Sequence, residues 1–276
     1  MCALAGMTPQ NYYARRVRGQ RREVDAGLAL ELARAQRAQQ PRLGGRKLYH
    51  LIAPELVAAG VKLGRDVFFA VLERAGMLVA RKPPEWPKTT AFDPRLPVFG
   101  NLIQGRELSG PNQVWAADIT YVRTAAAFLY LALVTDHWSR KIVGYHLGRS
   151  LETSEALKAL GMALRGLPRG RRPIHHSDRG CQYASHEYVG RVEGAGLSMS
   201  MTEVDHAAEN ALAERVNGIL KQEYWLDAMY ADGEEAGRAV RQGVELYNTR
   251  RPHTALGYRF PAEVHARGEA EMEGCE

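Results

Sequence analysis

Three acidic residues carry the chemistry this sequence offers. Asp178 follows a short strand-like run, Arg172-Pro173-Ile174-His175-His176, and Ser177-Asp178-Arg179-Gly180 breaks that run. Glu214 comes thirty-six positions later, inside a segment from Ala208 to Glu223 that reads as a helix: Leu212, Val216, Ile219 and Leu220 recur at helical spacing. Glu214, Asn217 and Lys221 lie off that stripe, and Glu214 and Lys221, seven apart, line one face. Asp118 sits sixty positions before Asp178, within Val114–Val122, a strand by composition and period.

Clustered carboxylates repel one another and lose hydration when partly buried. A divalent cation among them removes that cost. Hard cations such as Mg²⁺ prefer oxygen ligands and keep several waters. Two such ions, roughly 3.5–4 Å apart, stabilise both the attacking and the leaving oxygen of a phosphoryl displacement. Taken singly, each acid also has an ordinary reading. Asp118 could form a salt bridge, Asp178 could initiate a turn with Ser177, and Glu214 could be one of several solvated helix acids, with Asp205, Glu209 and Glu223 as rivals. There is no Gly-rich phosphate loop and no Gly-x-Ser-x-Gly elbow, so nucleotide hydrolysis and Ser-His-Asp hydrolysis lack support. His175 and His176 have no Cys/His partners at zinc spacing, and adjacent strand residues face opposite ways. Trp115, His137 and Trp138 read as packing or strand-end residues, and Trp86 and Trp225 have no assignable role.

The elements that must position these acids form two regions. The chain has 276 residues, enough for one large domain and a small one. Residues 1–110 hold 18 Lys+Arg against 9 Asp+Glu, and the remainder 19 against 22. A basic front half on a near-neutral body suits a polyanion, of which nucleic acid is the usual one. Residues 8–22 read as the end of a helix leading into a basic connector. Helices follow over 23–39, 46–59 and 65–76, with Leu48, Leu51, Ile52, Leu56 and Val57 on one side of the second and Val67, Phe68, Val71 and Leu72 in the third. The last two, joined by a Gly-containing turn, read as a helix-turn-helix, or as a plain three-helix bundle. Residues 81–110, with Pro83, Pro84, Pro87, Pro94 and Pro97, read as a linker.

From Pro111 the pattern becomes strands at 114–123, 128–135 and 141–147, forming an antiparallel meander. A helix at 153–167 follows, capped by Thr153 or Ser154, then a strand ending at Asp178, a helix at 185–194 and a strand at 197–201. The Glu214 helix and a helix from 233 to about 248 complete the region. The order fits an α/β domain: a ribonuclease H-like mixed five-stranded sheet with flanking helices. If the first and fourth strands are neighbours, Asp118 and Asp178 meet. The domain boundaries expected are 1–80, 81–110, 111–265 and a tail at 266–276. Cys2, Cys181 and Cys275 suggest neither disulfides nor zinc. No apolar run approaches the roughly 20 residues of a membrane span. A cytoplasmic protein is expected, associated with the nucleoid when bound to DNA.

Several stretches together resemble the second-frame protein (OrfB) of IS-three family insertion-sequence transposases, whose core is integrase-like. Asn112-Gln-Val-Trp-Ala-Ala-Asp-Ile-Thr-Tyr121 is similar to the family's first acidic motif, and His176-Ser-Asp-Arg-Gly-Cys-Gln-Tyr183 to its second. Ser198-Met-Ser-Met201, Glu209-Asn-Ala-Leu-Ala-Glu214 and Leu220-Lys221 are similar to its third. Tyr247-Asn-Thr-Arg-Arg-Pro-His253 and Leu256-Gly-Tyr-Arg-Phe-Pro-Ala-Glu263 resemble its closing motif. Leu43-Gly-Gly-Arg-Lys-Leu48 and Glu73-Arg-Ala-Gly-Met77 resemble its helix-turn-helix region. The resemblance implies a DDE transposase with two Mg²⁺ or Mn²⁺ ions held by Asp118, Asp178 and Glu214. It would cleave DNA at the element's ends with water, then join the freed 3′-hydroxyl to another phosphodiester. Lys221, Arg46, Lys47, Arg65, Arg250, Arg251 and His253 would contact double-stranded DNA. A homo-oligomer is expected on the DNA, with an upstream-frame OrfA protein or fusion as a further partner. One departure is Met201-Thr-Glu-Val-Asp-His-Ala-Ala-Glu-Asn210, where many members carry Arg-Lys-Gly-Asn. Two competing readings are a non-catalytic DNA-binding protein and a nuclease that only hydrolyses.

Overall fold

The computed structural model describes residues 8–79, 95–203 and 210–274. The chain divides into two compact units, Met1–Arg81 and Lys82–Glu276. Most of the linker's prolines (Pro83, Pro84, Pro87 and Pro94), Trp86, Cys2, Cys275, Asp205 and Glu209 lie outside the described residues.

The first unit has three helices. α1 spans Pro9–Gln39 without interruption, so the connector expected near residue 22 is absent. Arg, Ala, Gln and Glu between residues 14 and 23 are strong helix formers, and no proline breaks them. Thr8 caps the helix, its side chain accepting from the Asn11 amide at 3.3 Å. α2 spans Gly45–Ala58 and α3 Arg65–Arg74. Leu48, Ile52 and Leu56 of α2 pack with Ala29, Ala33, Phe68 and Leu72. Val57 and Val67, expected on the apolar sides, are 74% and 55% exposed. Each sits one residue, about 100°, off the buried stripe. After α2, Gly60 takes the left-handed conformation (φ 72°), its amide donating to Val57 and that of Val61 to Leu56, both at 2.9 Å. These two bonds satisfy carbonyls at the helix end and turn Val61 into the core.

The second unit is built on one sheet. Its elements in order are β1 (Val114–Thr124), β2 (Phe128–Asp136), β3 (Ile142–Gly148), α4 (Thr153–Arg165), β4 (Ile174–Ser177), α5 (Cys181–Ala184), α6 (His186–Gly194), β5 (Ser198–Met201), α7 (Ala211–Glu223), β6 (Met229–Tyr230), α8 (Gly233–Arg250) and α9 (Pro261–Glu273). The strand order is β3-β2-β1-β4-β5, with β6 beside β1. β1, β2 and β3 form the expected antiparallel meander, while β1–β4 and β4–β5 are parallel. The five expected strands are therefore present, and the two-residue β6 is an addition too short to carry a periodic signal.

Alternating strand residues divide the core in two. Trp115, Ala117, Ala132 and Val134 pack with α4 and α6, and Val122, Leu131 and Leu133 with α7 and α8. α4 lies so close to β3 that a Cβ on Gly144 would collide with the Ala159 carbonyl. Glu152, not Thr153 or Ser154, occupies the α4 cap position and makes no side-chain cap bond. Thr153 instead donates to Ser185 at 3.1 Å. Ser185 caps α6. α9 continues to Glu273, beyond the boundary expected at 265. A buried cluster holds it: Asp136 accepts from Ser139 and from the Asn112 amide, Ser139 meets His265 Nδ1 at 2.8 Å, and Asn112 donates to Glu269 at 2.8 Å. No described helix is long and apolar enough to cross a membrane.

Candidate active site

Asp118 and Asp178 are brought together by strand pairing. β1 and β4 run parallel with Ala116 opposite His176 and Ala117 opposite Ser177. One further step along that register sets Asp118 beside Asp178, on strands about 4.8 Å apart. Both line one cleft with Ile119, Leu151, Gly180, Gln182 and Tyr183. Asp178 leaves the strand into a turn, Oδ1 accepting from the Gly180 amide at 3.0 Å.

α7 lies over β1 and is tied to it by two asparagines. Asn210 donates to the Ala117 carbonyl at 3.2 Å, and Asn217 donates to Asp118 Oδ2 at 2.7 Å. Asp118 Oδ1 accepts from the Ile119 amide at 2.9 Å. Sequence reasoning placed Asn217 on the polar face of this helix but gave it no task. Its spacing, three after Glu214 and four before Lys221, held the signal. Glu214 is in the first turn of α7 and exposed. Lys221 is turned inward: it is 3% exposed, with Nζ 3.9 Å from the centre of the Tyr121 ring.

Burial, and then the Asp178 carboxylate, push the Asp118 carboxyl up to about 7, and Glu214 adds to this. The Asn217 and Ile119 donors oppose the rise without cancelling it. Burial, followed by Asp178, raises Glu214 as well. Burial lowers Lys221 to about 8, although the charges of Asp118 and Asp227 act in its favour. The three acids are thus in electrostatic reach of one another. Among the described residues no three His, Cys, Asp or Glu side chains converge closely enough to hold an ion.

These shifts bear on stability. A carboxyl raised from about 3.9 unfolded to about 7 folded binds more protons when folded, so its contribution declines as pH rises from about 4 to about 7. His175, lowered to about 4 by burial, acts with the opposite sign below about pH 6.5. The Asp118 effect is therefore read as a difference between proteins. In metal-free buffer Asp118→Asn gains stability relative to the wild type between pH 5 and pH 8. From pH 5 to the folded value near 7 the ceiling is about 3 kcal/mol, and the partial solvent contact of the side chain reduces this to on the order of 1–2 kcal/mol. Denaturant melts at the two pH values measure it, and an unchanged difference would remove the electrostatic coupling.

Other expected residues lie elsewhere. Arg251 is 2% exposed and forms a two-pronged pair with Glu223, Nε–Oε2 and Nη2–Oε1 both at 2.8 Å. That pair occupies the guanidinium fork and removes Glu223 as a rival acid. His253 is buried against Tyr247. Both side chains are turned into the core. Arg250, Arg46 and Arg65 are exposed and Lys47 is half-buried. His175 and His176 are fully buried; His175 Nε2 meets Tyr188 Oη and His176 Nδ1 meets Ser200 Oγ, each at 2.9 Å.

The integrase core domain family matches residues 109–207, and a second integrase core domain family matches 195–261. The 31 kDa protein of insertion element IS600 from Shigella sonnei is 35% identical over 266 residues, covering 95% of this chain and 96% of that one. Transposase InsF of insertion sequence IS3A from Escherichia coli K12 is 35% identical over 221 residues, covering 79% and 76%. The chain belongs to the IS-three family of insertion-sequence transposases. Its sheet and flanking helices have the integrase fold: a chain of the simian T-cell lymphotropic virus intasome, solved with the PP2A regulatory subunit B56 gamma, superposes with a TM-score of 0.51 at 19% identity, covering 80% of this transposase and 74% of that chain. In this transposase the stretch that matches the first integrase core family contains both aspartates and the cleft they line, and the second match contains α7.

Proposed function

We propose that this transposase cuts and joins DNA strands with Asp118, Asp178 and Glu214 as ligands of two divalent cations, Mg²⁺ or Mn²⁺. The observation that carries the reading is the parallel β1–β4 pairing, which sets two carboxylates on neighbouring strands at one cleft. The donor set suits a hard cation: it is all oxygen, and Asp118 is held near 7 by burial and by a second acid. Bound there, the cations would supply Lewis-acid stabilisation to the attacking and leaving oxygens of a phosphodiester. Asn217 fixes the Asp118 carboxylate, leaving Oδ1 turned toward its own strand amide. Glu214, from the exposed first turn of α7, is the ligand that must move inward. Lys221, beside Asp118, provides positive charge for a phosphate that enters the cleft.

Double-stranded DNA, both element end and target, is the partner. In the helical unit Arg46 and Arg65, with Lys47, supply positive charge for phosphate contacts, and Arg250 does so at the end of α8. Two ends must be joined, so a homo-oligomer assembles on DNA, with OrfA or its fusion as a further partner. The test is Mg²⁺-dependent cleavage of element-end DNA and joining of a pre-cut end by the intact chain, beside the fusion with its upstream frame. Joining in either form supports the reading. Cleavage without joining identifies a hydrolytic nuclease, and binding without chemistry in both forms identifies a DNA-binding protein.

A further inference from the structure

Two buried tyrosines stand side by side at the acidic cleft, and among the described residues the hydroxyl of one has a partner and that of the other does not. Tyr188 is fully buried and its hydroxyl meets His175 Nε2 at 2.9 Å. Tyr183 is 3% exposed, and among the described residues its hydroxyl has no hydrogen-bond partner. The ring cannot swing to find one. It packs edge-on against Tyr188, centroids 5.2 Å apart at 83°, and lies 6.2 Å from the His175 ring. Its backbone is fixed as well, the amide donating to the Gly180 carbonyl at 3.0 Å in the turn that follows Asp178. A buried hydroxyl without a partner forfeits the bond it had with water. A phenylalanine would fill the same space without that loss.

The position of Tyr183 supplies the reason. It lines the same cleft as Asp118 and Asp178, and both carboxylates act electrostatically on its hydroxyl. Yet among the described residues it bonds to neither, and a third group carrying hydrogens would satisfy it. A water carried by a cation is such a group, because Mg²⁺ and Mn²⁺ held by few carboxylates keep several waters.

We propose that Tyr183 is a positioning residue whose hydroxyl receives, and thereby orients, a water on the cation held by Asp118 and Asp178. The inference rests on the aspartate reading above. Outer-shell groups of this kind fix the geometry of a metal site, and their loss typically weakens metal affinity about 10–100-fold. No DNA is needed for the contact, so it is measurable on the protein and cation alone.

The experiment is Mn²⁺ titration of the full chain by electron paramagnetic resonance, without DNA, for wild type, Tyr183→Phe and Asp178→Asn. The melting temperature of each is taken in chelator. Tyr183→Phe is expected to melt at or above the wild-type temperature in chelator and to bind Mn²⁺ about tenfold more weakly. Wild-type affinity in Tyr183→Phe, beside a loss in Asp178→Asn, overturns the inference and leaves the aspartate reading intact. A lower melting temperature for Tyr183→Phe in chelator assigns the hydroxyl to the fold and also overturns it. If wild type and Asp178→Asn bind alike, or neither binds, the aspartate reading itself fails.

Discussion

Asp178→Asn loses strand cleavage and strand joining together, by about a thousandfold or more, while the protein remains folded. The size follows from what one ligand does. Removing a single preorganised group aimed at transition-state charge already costs on the order of 10²–10³ in rate, and a missing ligand weakens every contact its cation would make. Folding should survive for an electrostatic reason. Asp178 is the charge that, after burial, most raises Asp118. Its neutralisation removes a repulsion, and the Gly180 amide can still donate to the asparagine oxygen. The signature is therefore an inactive protein that melts no lower than wild type in metal-free buffer. Circular dichroism melts beside a gel assay of a pre-cut end decide it. Full activity in Asp178→Asn would remove this residue from the chemistry. A collapsed melt would make its role structural.

Arg251→Ala destabilises the second unit by about 3–5 kcal/mol, the range expected when one member of a buried ion pair is removed and the other is left behind. Arg251 is 2% exposed and its partner Glu223 17%. The pair joins the end of α7 to the residue after α8, across the Tyr224 and Tyr247 region of the core. Arg251→Lys should not rescue it, because an ammonium cannot reproduce the two parallel bonds of a guanidinium fork. Removing both partners, as in Arg251→Met with Glu223→Leu, should recover much of the loss. Urea unfolding of wild type, Arg251→Met, Glu223→Leu and the double substitution gives the coupling directly. A single substitution that leaves stability alone but weakens DNA binding would restore Arg251 to the DNA surface.

The arginine marks where sequence reading stops. Strand and helix positions were legible because apolar residues recur at periods of two and 3.6. The pairing of Asp118 with Asp178 was legible only through the assumption that their strands are neighbours, which the parallel register bears out. Burial of individual polar side chains was not legible. Arg251 and His253 lie in a motif rich in charge, and nothing in their types distinguishes a DNA contact from an internal clamp. The long α1 was misread for the opposite reason: its basic face resembled a connector, although helix-forming residues continue through it. The end of α9, residues 266–273, reads as a tail in the sequence because the residues that fasten the helix, Asp136, Ser139 and Asn112, come from more than 120 positions earlier.

The parallel pairing of β1 with β4 also sets when this protein becomes dangerous to a genome. Asp118 is translated sixty residues before Asp178 and ninety-six before Glu214. The meander of β1, β2 and β3 can close behind the ribosome from local contacts alone, whereas β4 must return past α4 to reach β1. A chain interrupted anywhere up to Gly148 therefore holds at most one of the three acids and no cleft. The acidic pair exists only after a strand contact across sixty residues has formed, and its own repulsion opposes that closure at neutral pH. Fragments that stall before β4 are expected to be inert toward DNA, because the topology withholds the acidic pair until that strand is made.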